Sequence, residues 1–291
     1  MNWFAIIAGL TASLTANSAP GLSPQPHPAV GEEHEVIISY VTSKQGSDGS
    51  SSSSSGQDVL LERVIAVSNA GLELEFDLPS DATAEDRARD WKFPARILQQ
   101  SNGAIRLLNG DKLDERVDRW LKASEMSRDM CGRWIFTWNA FRIECDPESV
   151  IADIAAINLL NVNLREGATY RHPQTVGSGI LSLTSKGPGG AVYSVRLAVD
   201  ADAVRRERAE SDVVVGEITQ NPVTFEAAFS ERSKETVSGT VEVTFDVDAS
   251  GNPTRRTVVT TLDTVKPDGV SEKDRRTDTV ERVASGGTNR S

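Results

Sequence analysis

The chain has 291 residues and a formal net charge of −11, with 31 lysines and arginines against 42 aspartates and glutamates. Charged residues make up 25% and apolar ones 38%, the proportions of a soluble globular protein slightly poor in apolar side chains. Its length suits one large or two modest domains, with a core that needs no metal to hold it. The acidic balance argues against a nucleic-acid or anionic-membrane binder, since both bind through basic patches that release counterions.

In chain order, the first feature is Trp3 to Leu14, WFAIIAGLTASL, an apolar run shorter than the roughly 20 residues that span a bilayer. Ala16 and Ser18 suit the small-residue positions of a signal-peptidase site. Residues 1–18 therefore read as a signal peptide cleaved near Ser18, and the mature protein as periplasmic or secreted, with no transmembrane segment. One feature departs from that pattern: no Lys or Arg precedes Lys44. Pro20, Pro24, Pro26 and Pro28 then mark residues 19–33 as an extended tether. Gly46 to Gly56, with the run Ser50 to Ser55, has no apolar group to bury and is expected to be a mobile loop.

From residue 34 apolar residues recur mostly at period two. Val36, Ile38 and Tyr40 alternate with Ile37, Ser39 and Val41 in a poorly sided strand. Leu60 to Val67 and Leu72 to Phe76 read as a hairpin. Trp91 to Leu98 and Ile105 to Leu108 make another, with Pro94 marking an edge or bulge. Leu113, Val117, Trp120 and Leu121 give a helix over Lys112 to Ser124. Trp134 to Trp138 and Phe141 to Cys145 form an aromatic hairpin. A helix over Glu148 to Leu159 follows, with Asp146 as N-cap and Pro147 at its first position.

Ile180 to Ser185 and Ala191 to Val199 flank a turn at Gly187-Pro188-Gly189-Gly190. Asp200 to Asp212 is a charged helix whose Arg205, Arg206, Glu207, Arg208 and Glu210 read as a solvated face. Val223 to Phe229, Thr236 to Val247 and Thr254 to Thr264 are three further strands. Residues 266–291 read as a polar tail apart from a candidate strand at Thr277 to Val283. Strands grouped in hairpins favour an α+β fold: a large curved antiparallel β-sheet with about three helices packed on it, over residues 34–265. A sub-boundary near residues 165–178 is a candidate division.

The two cysteines, Cys131 and Cys145, bracket the aromatic hairpin. If it turns about Thr137 to Asn139, residues whose numbers sum to 276 face each other, and 131 and 145 do so. A disulfide across the hairpin base is the expectation, and in an exported protein it would persist.

Catalytic signatures are sparse. His27 and His34 lie in or beside the tether, leaving His172 in a Tyr170-Arg171-His172-Pro173 loop with no G-x-S-x-G nucleophile elbow. Neither H-E-x-x-H, paired C-x-x-C nor a P-loop occurs. Asp246, Asp248, Ser250 and Asn252 resemble the start of a calcium loop, but Thr257 stands where a bidentate acid belongs. The same residues suit a β-turn, which is the expectation. Trp134 or Trp138 could stack on a sugar beside a carboxylate pair, although aromatics on a hairpin more often serve the core. No catalytic, cofactor or metal residues are nominated.

The segment Ser127 to Pro147, SRDMCGRWIFTWNAFRIECDP, together with Arg205-Arg206-Glu207-Arg208-Ala209-Glu210, resembles a family of uncharacterised exported proteins of Gram-negative bacteria. The resemblance extends from about residue 33 and implies export, but no activity or ligand. At fold level alone, a curved sheet with covering helices is also similar to periplasmic carriers of lipidated proteins. The expected role is a non-catalytic envelope protein that binds an apolar molecule or an envelope protein partner. The alternative is an envelope hydrolase using paired carboxylates.

Overall fold

A computed structural model describes residues 28–136, 140–162 and 164–285. The signal-peptide reading, most of the tether including His27, and Trp138 lie outside these residues. Fourteen strands are described: β1 (Glu33–Gly46), β2 (Ser51–Ser68), β3 (Gly71–Asp77), β4 (Ala95–Gln99), β5 (Ile105–Leu107), β6 (Trp134–Phe136), β7 (Ala140–Arg142), β8 (Thr169–Tyr170), β9 (Gly179–Ile180), β10 (Ser182–Gly187), β11 (Gly190–Ala198), β12 (Thr236–Asp248), β13 (Pro253–Val265) and β14 (Ser271–Ala284). The helices are α1 (Ala84–Arg89), α2 (Gly110–Ala123), α3 (Ser149–Ile157), α4 (Ala201–Ile218) and α5 (Phe225–Arg232).

Ten strands form one open antiparallel sheet in the order β10-β11-β12-β13-β14-β1-β2-β3-β4-β5. It is two five-stranded meanders, one from each end of the described chain, joined by a long seam between β1 and β14. That seam runs from His34 opposite Ala284 to Gly46 opposite Glu272. The helices and the disulfide-bonded segment all come from residues that lie between the meanders or interrupt them. The expected α+β class is observed, with five described helices where about three were expected.

Side chains that alternate along the strands divide the sheet into a helix-bearing face and a bare one. On the N-terminal meander, Val36, Leu60, Val64, Leu74, Phe76 and Ile97 meet Leu113, Val117 and Leu121 of α2 and Val150 and Ile154 of α3. On the C-terminal meander, Val195, Leu197, Val241, Val243 and Phe245 pack under Val204 of α4 with Ala168 and Leu181. Two apolar cores thus sit side by side on one face.

Four expectations are corrected by the structure. Ser51 to Ser55 belong to β2 and pair with Val41 to Gln45, so only residues 47–50 form the turn. Backbone pairing needs no apolar side chain, and the serines' exposed position costs nothing. Ser271 to Ala284 is a 14-residue strand at the sheet centre, so the expected polar tail supplies half of the seam. The consecutive charges Glu272 to Arg276 hid its first half from a hydrophobicity reading, while Thr277 to Val283 was read as a candidate strand. Val223 to Phe229, read as a strand, instead leads into α5: the Thr224 hydroxyl caps the helix by accepting from Ala227 N–H, and Phe225 and Phe229 stack one turn apart at 5.8 Å. The cap of α3 also differs, because Glu148 takes the N-cap position with no side-chain bond, and Asp146 instead accepts from Glu148 N–H.

Candidate functional site

Between the two cores the helix-bearing face changes chemistry. Along β14, Glu272, Asp274, Arg276 and Asp278 point to the same face as buried Val280. Their cross-strand neighbours are Thr264, Leu262, Thr260 and Val258 on β13, and Gly46, Lys44, Thr42 and Tyr40 on β1. The result is a polar strip whose β14–β1 part, with Tyr40, Thr42, Lys44, Arg276 and Asp278, stays accessible, while Val258, Thr260 and Thr264 on the β13 side are buried. The side chain of Arg276 is 48% exposed and that of Lys44 46%.

Tyr40 lies at the centre of this strip. Its ring rests over Gly56 of β2, where a Cβ would stand 2.5 Å from Cε1, so the absent side chain makes room for the ring. The Arg276 guanidinium sits 5.4 Å from the ring centroid and donates from Nε and Nη2 to Asp278 at 2.7–2.9 Å. On the side of the N-terminal core, Arg256 of β13 donates from Nη2 to the carbonyl of Ala156, in the last turn of α3. On the other side stand Tyr170 and His172. Tyr170 packs edge-on against Phe245 at 5.6 Å. His172 Nδ1 accepts from Gln174 N–H at 3.4 Å, and Gln174 Nε2 donates to Glu207 of α4 at 3.0 Å.

Burial, followed by the charge of Arg256, lowers the His172 pKa to about 4, so the imidazole is neutral at physiological pH. With Nδ1 accepting, its proton sits on Nε2. The loop histidine is therefore half-buried beside a cation.

The far end of the strip is an ion-pair network. Lys44 pairs with Glu272, and Arg208 of α4 reaches Glu235 at 3.2 Å and Glu272 at 3.6 Å. Arg232 of α5 bridges Asp212 and Glu235, each at 2.6 Å. Arg205 donates to the carbonyl of Glu235 at 2.8 Å. These bonds fix α4 and α5 to the sheet. The charged helix is thus not simply a solvated face: Arg205 and Arg208 turn inward, while Arg206 and Glu210 are exposed. Within the network Glu272 and Asp274 share a hydrogen bond and shift in opposite directions. Burial would raise Glu272, but the bond to Lys44 and its charge outweigh it; burial raises Asp274, helped by the charge of Glu272 and opposed by Lys44.

The remaining sequence candidates have other places. Cys131 and Cys145 are bonded, with Cα atoms 5.7 Å apart. The pairing of Trp134 with Arg142 and Ile135 with Phe141 follows the expected register. Trp134 lines a hollow of about 480 Å³ with Gly132, Arg133, Arg142 and Glu217. Asp248 accepts at Oδ1 from Ser250 N–H at 2.9 Å and Asn252 N–H at 2.8 Å, so the would-be calcium loop closes a β-turn on its own carboxylate. Asp246 and Asp248 also border a second hollow, of about 420 Å³, walled by Gly187, Gly189 and Gly190. The first hollow is lined mostly by polar groups, and the second by polar and apolar groups about equally, so neither is an apolar-lined cavity of the kind that holds an apolar ligand.

Arg256, Arg276, Asp278 and Tyr40 were not nominated from sequence. For Arg276 and Asp278 a signal was the charge-rich run 272–278, which as a strand places Glu272, Asp274, Arg276 and Asp278 on one face; no such signal marks Arg256 or Tyr40.

No protein-family model matches the chain, and no curated protein does. Among solved structures, one described as lipid–protein interactions in lipovitellin is similar at a TM-score of 0.39 and 8% identity, over 90% of this chain. The chain spans only 26% of that structure's length. A DUF1329 family protein from Desulfovibrio piger aligns at a TM-score of 0.14 and 9% identity, covering 88% of this chain and 87% of its own. Among the described residues no helix is long and apolar enough to cross a membrane.

Proposed function

We propose that the protein is a non-catalytic binding protein of the cell envelope, and that its binding surface is the polar strip between the two cores. The observation that carries this reading is the uncovered centre of the helix-bearing face. Apolar inner-face residues at either end are sealed under helices, yet Tyr40, Thr42, Lys44, Arg276 and Asp278 remain accessible on a surface fixed by ten strands. A surface of this polarity suits a protein partner better than an apolar small molecule, which would need an apolar-lined cavity. The expected signal sequence motivates the export part of this reading, and a disulfide is in keeping with it.

A photo-crosslinking residue in place of Thr42, on the strip, tests this against the same residue in place of Thr261, on the bare face. In cells that naturally make the protein, the strip position should yield a discrete adduct and the bare-face position none. Equal labelling from both positions, or none from Thr42, would sink the proposal.

The hydrogen-bonded Glu272 and Asp274 give the alternative, a carboxylate hydrolase, its one located pair. Lys44 and Arg208 already engage that pair, which favours a structural role.

A further inference from the structure

Arg256 stands apart from the other arginines on the helix-bearing face. Arg208 is paired with Glu235 and Glu272, Arg232 with Asp212 and Glu235, Arg276 with Asp278, and Arg282 with Glu62. Arg256 has no carboxylate within ion-pair distance among the described residues. Asp278 is near enough to be felt electrostatically, but its two oxygens are taken by Arg276. A guanidinium carries five N–H donors. The described residues accept from one of its nitrogens, through the Ala156 carbonyl, and Nε is buried with no partner.

Leaving a desolvated charge unpaired is costly, and proteins as a rule answer such a group with an opposite charge. Here the end of α3 gives only a helix C-terminal carbonyl, a partial negative charge. Apart from Asp278, whose oxygens Arg276 holds, the polar groups near Arg256 carry no charge of their own. Tyr170 brings a hydroxyl, and His172 is held neutral with its proton on Nε2. A guanidinium flanked by neutral donors at the border of an open strip is the arrangement that binds an oxyanion, and Arg does so with a planar fork matched to carboxylate and phosphoryl groups.

We propose that Arg256, with His172 and Tyr170 beside it, is the recognition point for an oxyanion, a carboxylate or a phosphoryl group, carried by the partner that docks on the strip. This rests on the strip being the binding surface and adds the chemistry that the partner must present. It also explains how a chain of net charge −11 can receive an anionic group: this buried cation has no ion pair of its own, and the nearest carboxylate is held by Arg276.

The test titrates the full-length purified protein with sodium phosphate and, separately, sodium acetate at pH 7 and constant ionic strength. The readout is the NMR resonances of the His172 ring, assigned from the spectrum of His172→Gln. Saturable shifts are expected, with at least tenfold weaker binding in Arg256→Gln at an unchanged unfolding midpoint. Arg256→Lys, which keeps the charge but loses the fork, should bind several-fold more weakly than the wild type, and it serves if the Gln variant does not fold. The tighter of the two anions identifies the group. Linear, unsaturated shifts in the wild type, or saturation that survives in Arg256→Gln, would overturn the inference. So would an Arg256→Gln chain that still forms the Thr42 adduct, and that outcome would leave the strip standing as a binding surface. Saturation without any Thr42 adduct would keep the anion site and remove the partner reading instead.

Discussion

Glu62 and Arg282 allow a sharp test of how the seam is held. Glu62, on β2, is 1% exposed, and Arg282, on β14, reaches across β1 to donate from Nε at 2.8 Å, with Nη2 at 2.7 Å from the same oxygen. Burial raises the Glu62 pKa, with the charge and hydrogen bonding of Arg282 opposing it, so the pair exists against a desolvation cost. Removing one member leaves the other buried and unpaired, a loss of about 3–5 kcal/mol. Replacing both by apolar groups removes two desolvation costs along with one attraction, and is typically neutral or stabilising. Glu62→Leu and Arg282→Leu should therefore each lower the urea unfolding free energy by about 3–5 kcal/mol, and the double variant by clearly less than either single. The pH dependence gives a second readout. Because the folded-state pKa of Glu62 is raised, its contribution to stability is fully present below the ordinary carboxylate value and is lost as pH rises through the raised one. Glu62→Gln should flatten that part of the stability curve. Additive losses in the double variant, or single losses under about 1 kcal/mol, would refute the reasoning.

Three more outcomes are expected. Cys131→Ser with Cys145→Ser opens a loop with a sequence separation of 14 and should cost about 3 kcal/mol, read as a calorimetric Tm shift absent under reducing conditions. His172, lowered from 6.5 to about 4, contributes stability that is present above pH 6.5 and lost as pH falls toward 4. That loss should be on the order of 2–3 kcal/mol and should vanish in His172→Gln, measured by urea midpoints between pH 4 and 7. Gly56→Ala places a Cβ against the Tyr40 ring, a side chain and not backbone, which must shift to admit it, so stability should change by no more than about 1–2 kcal/mol. The same substitution should lift the ring from its place beside Arg276, visible in the Tyr40 ring resonances and in loss of the Thr42 adduct.

What the sequence revealed follows from which forces leave a local trace. Helix α2 was visible because apolar residues recur at its period, α3 was placed although its cap was misassigned to Asp146, and α4 was placed from Asp200, whose carboxylate accepts from Asp202 and Ala203 N–H. The disulfide was visible because hairpin register is arithmetic. Of strand β14 only Thr277 to Val283 was visible; its first half, Ser271 to Arg276, was not, because its neighbours on both sides supply the pairing and its own side chains are mostly charged. The candidate site was illegible for the same reason. Arg256, Arg276, Tyr40 and His172 come from β13, β14, β1 and the loop after β8, and only the pairing of the two meanders brings them together. Nothing in the spacing of those residues along the chain announces that a basic group will lack its carboxylate.

The central claim is that the strip is open in the isolated protein and covered by a partner in the envelope. Hydroxyl-radical footprinting of Tyr40 measures this directly, on purified protein and in intact envelopes of cells that make it. Ready oxidation of Tyr40 in the purified chain and strong protection in the envelope is the predicted result. Equal oxidation in both settings would contradict it.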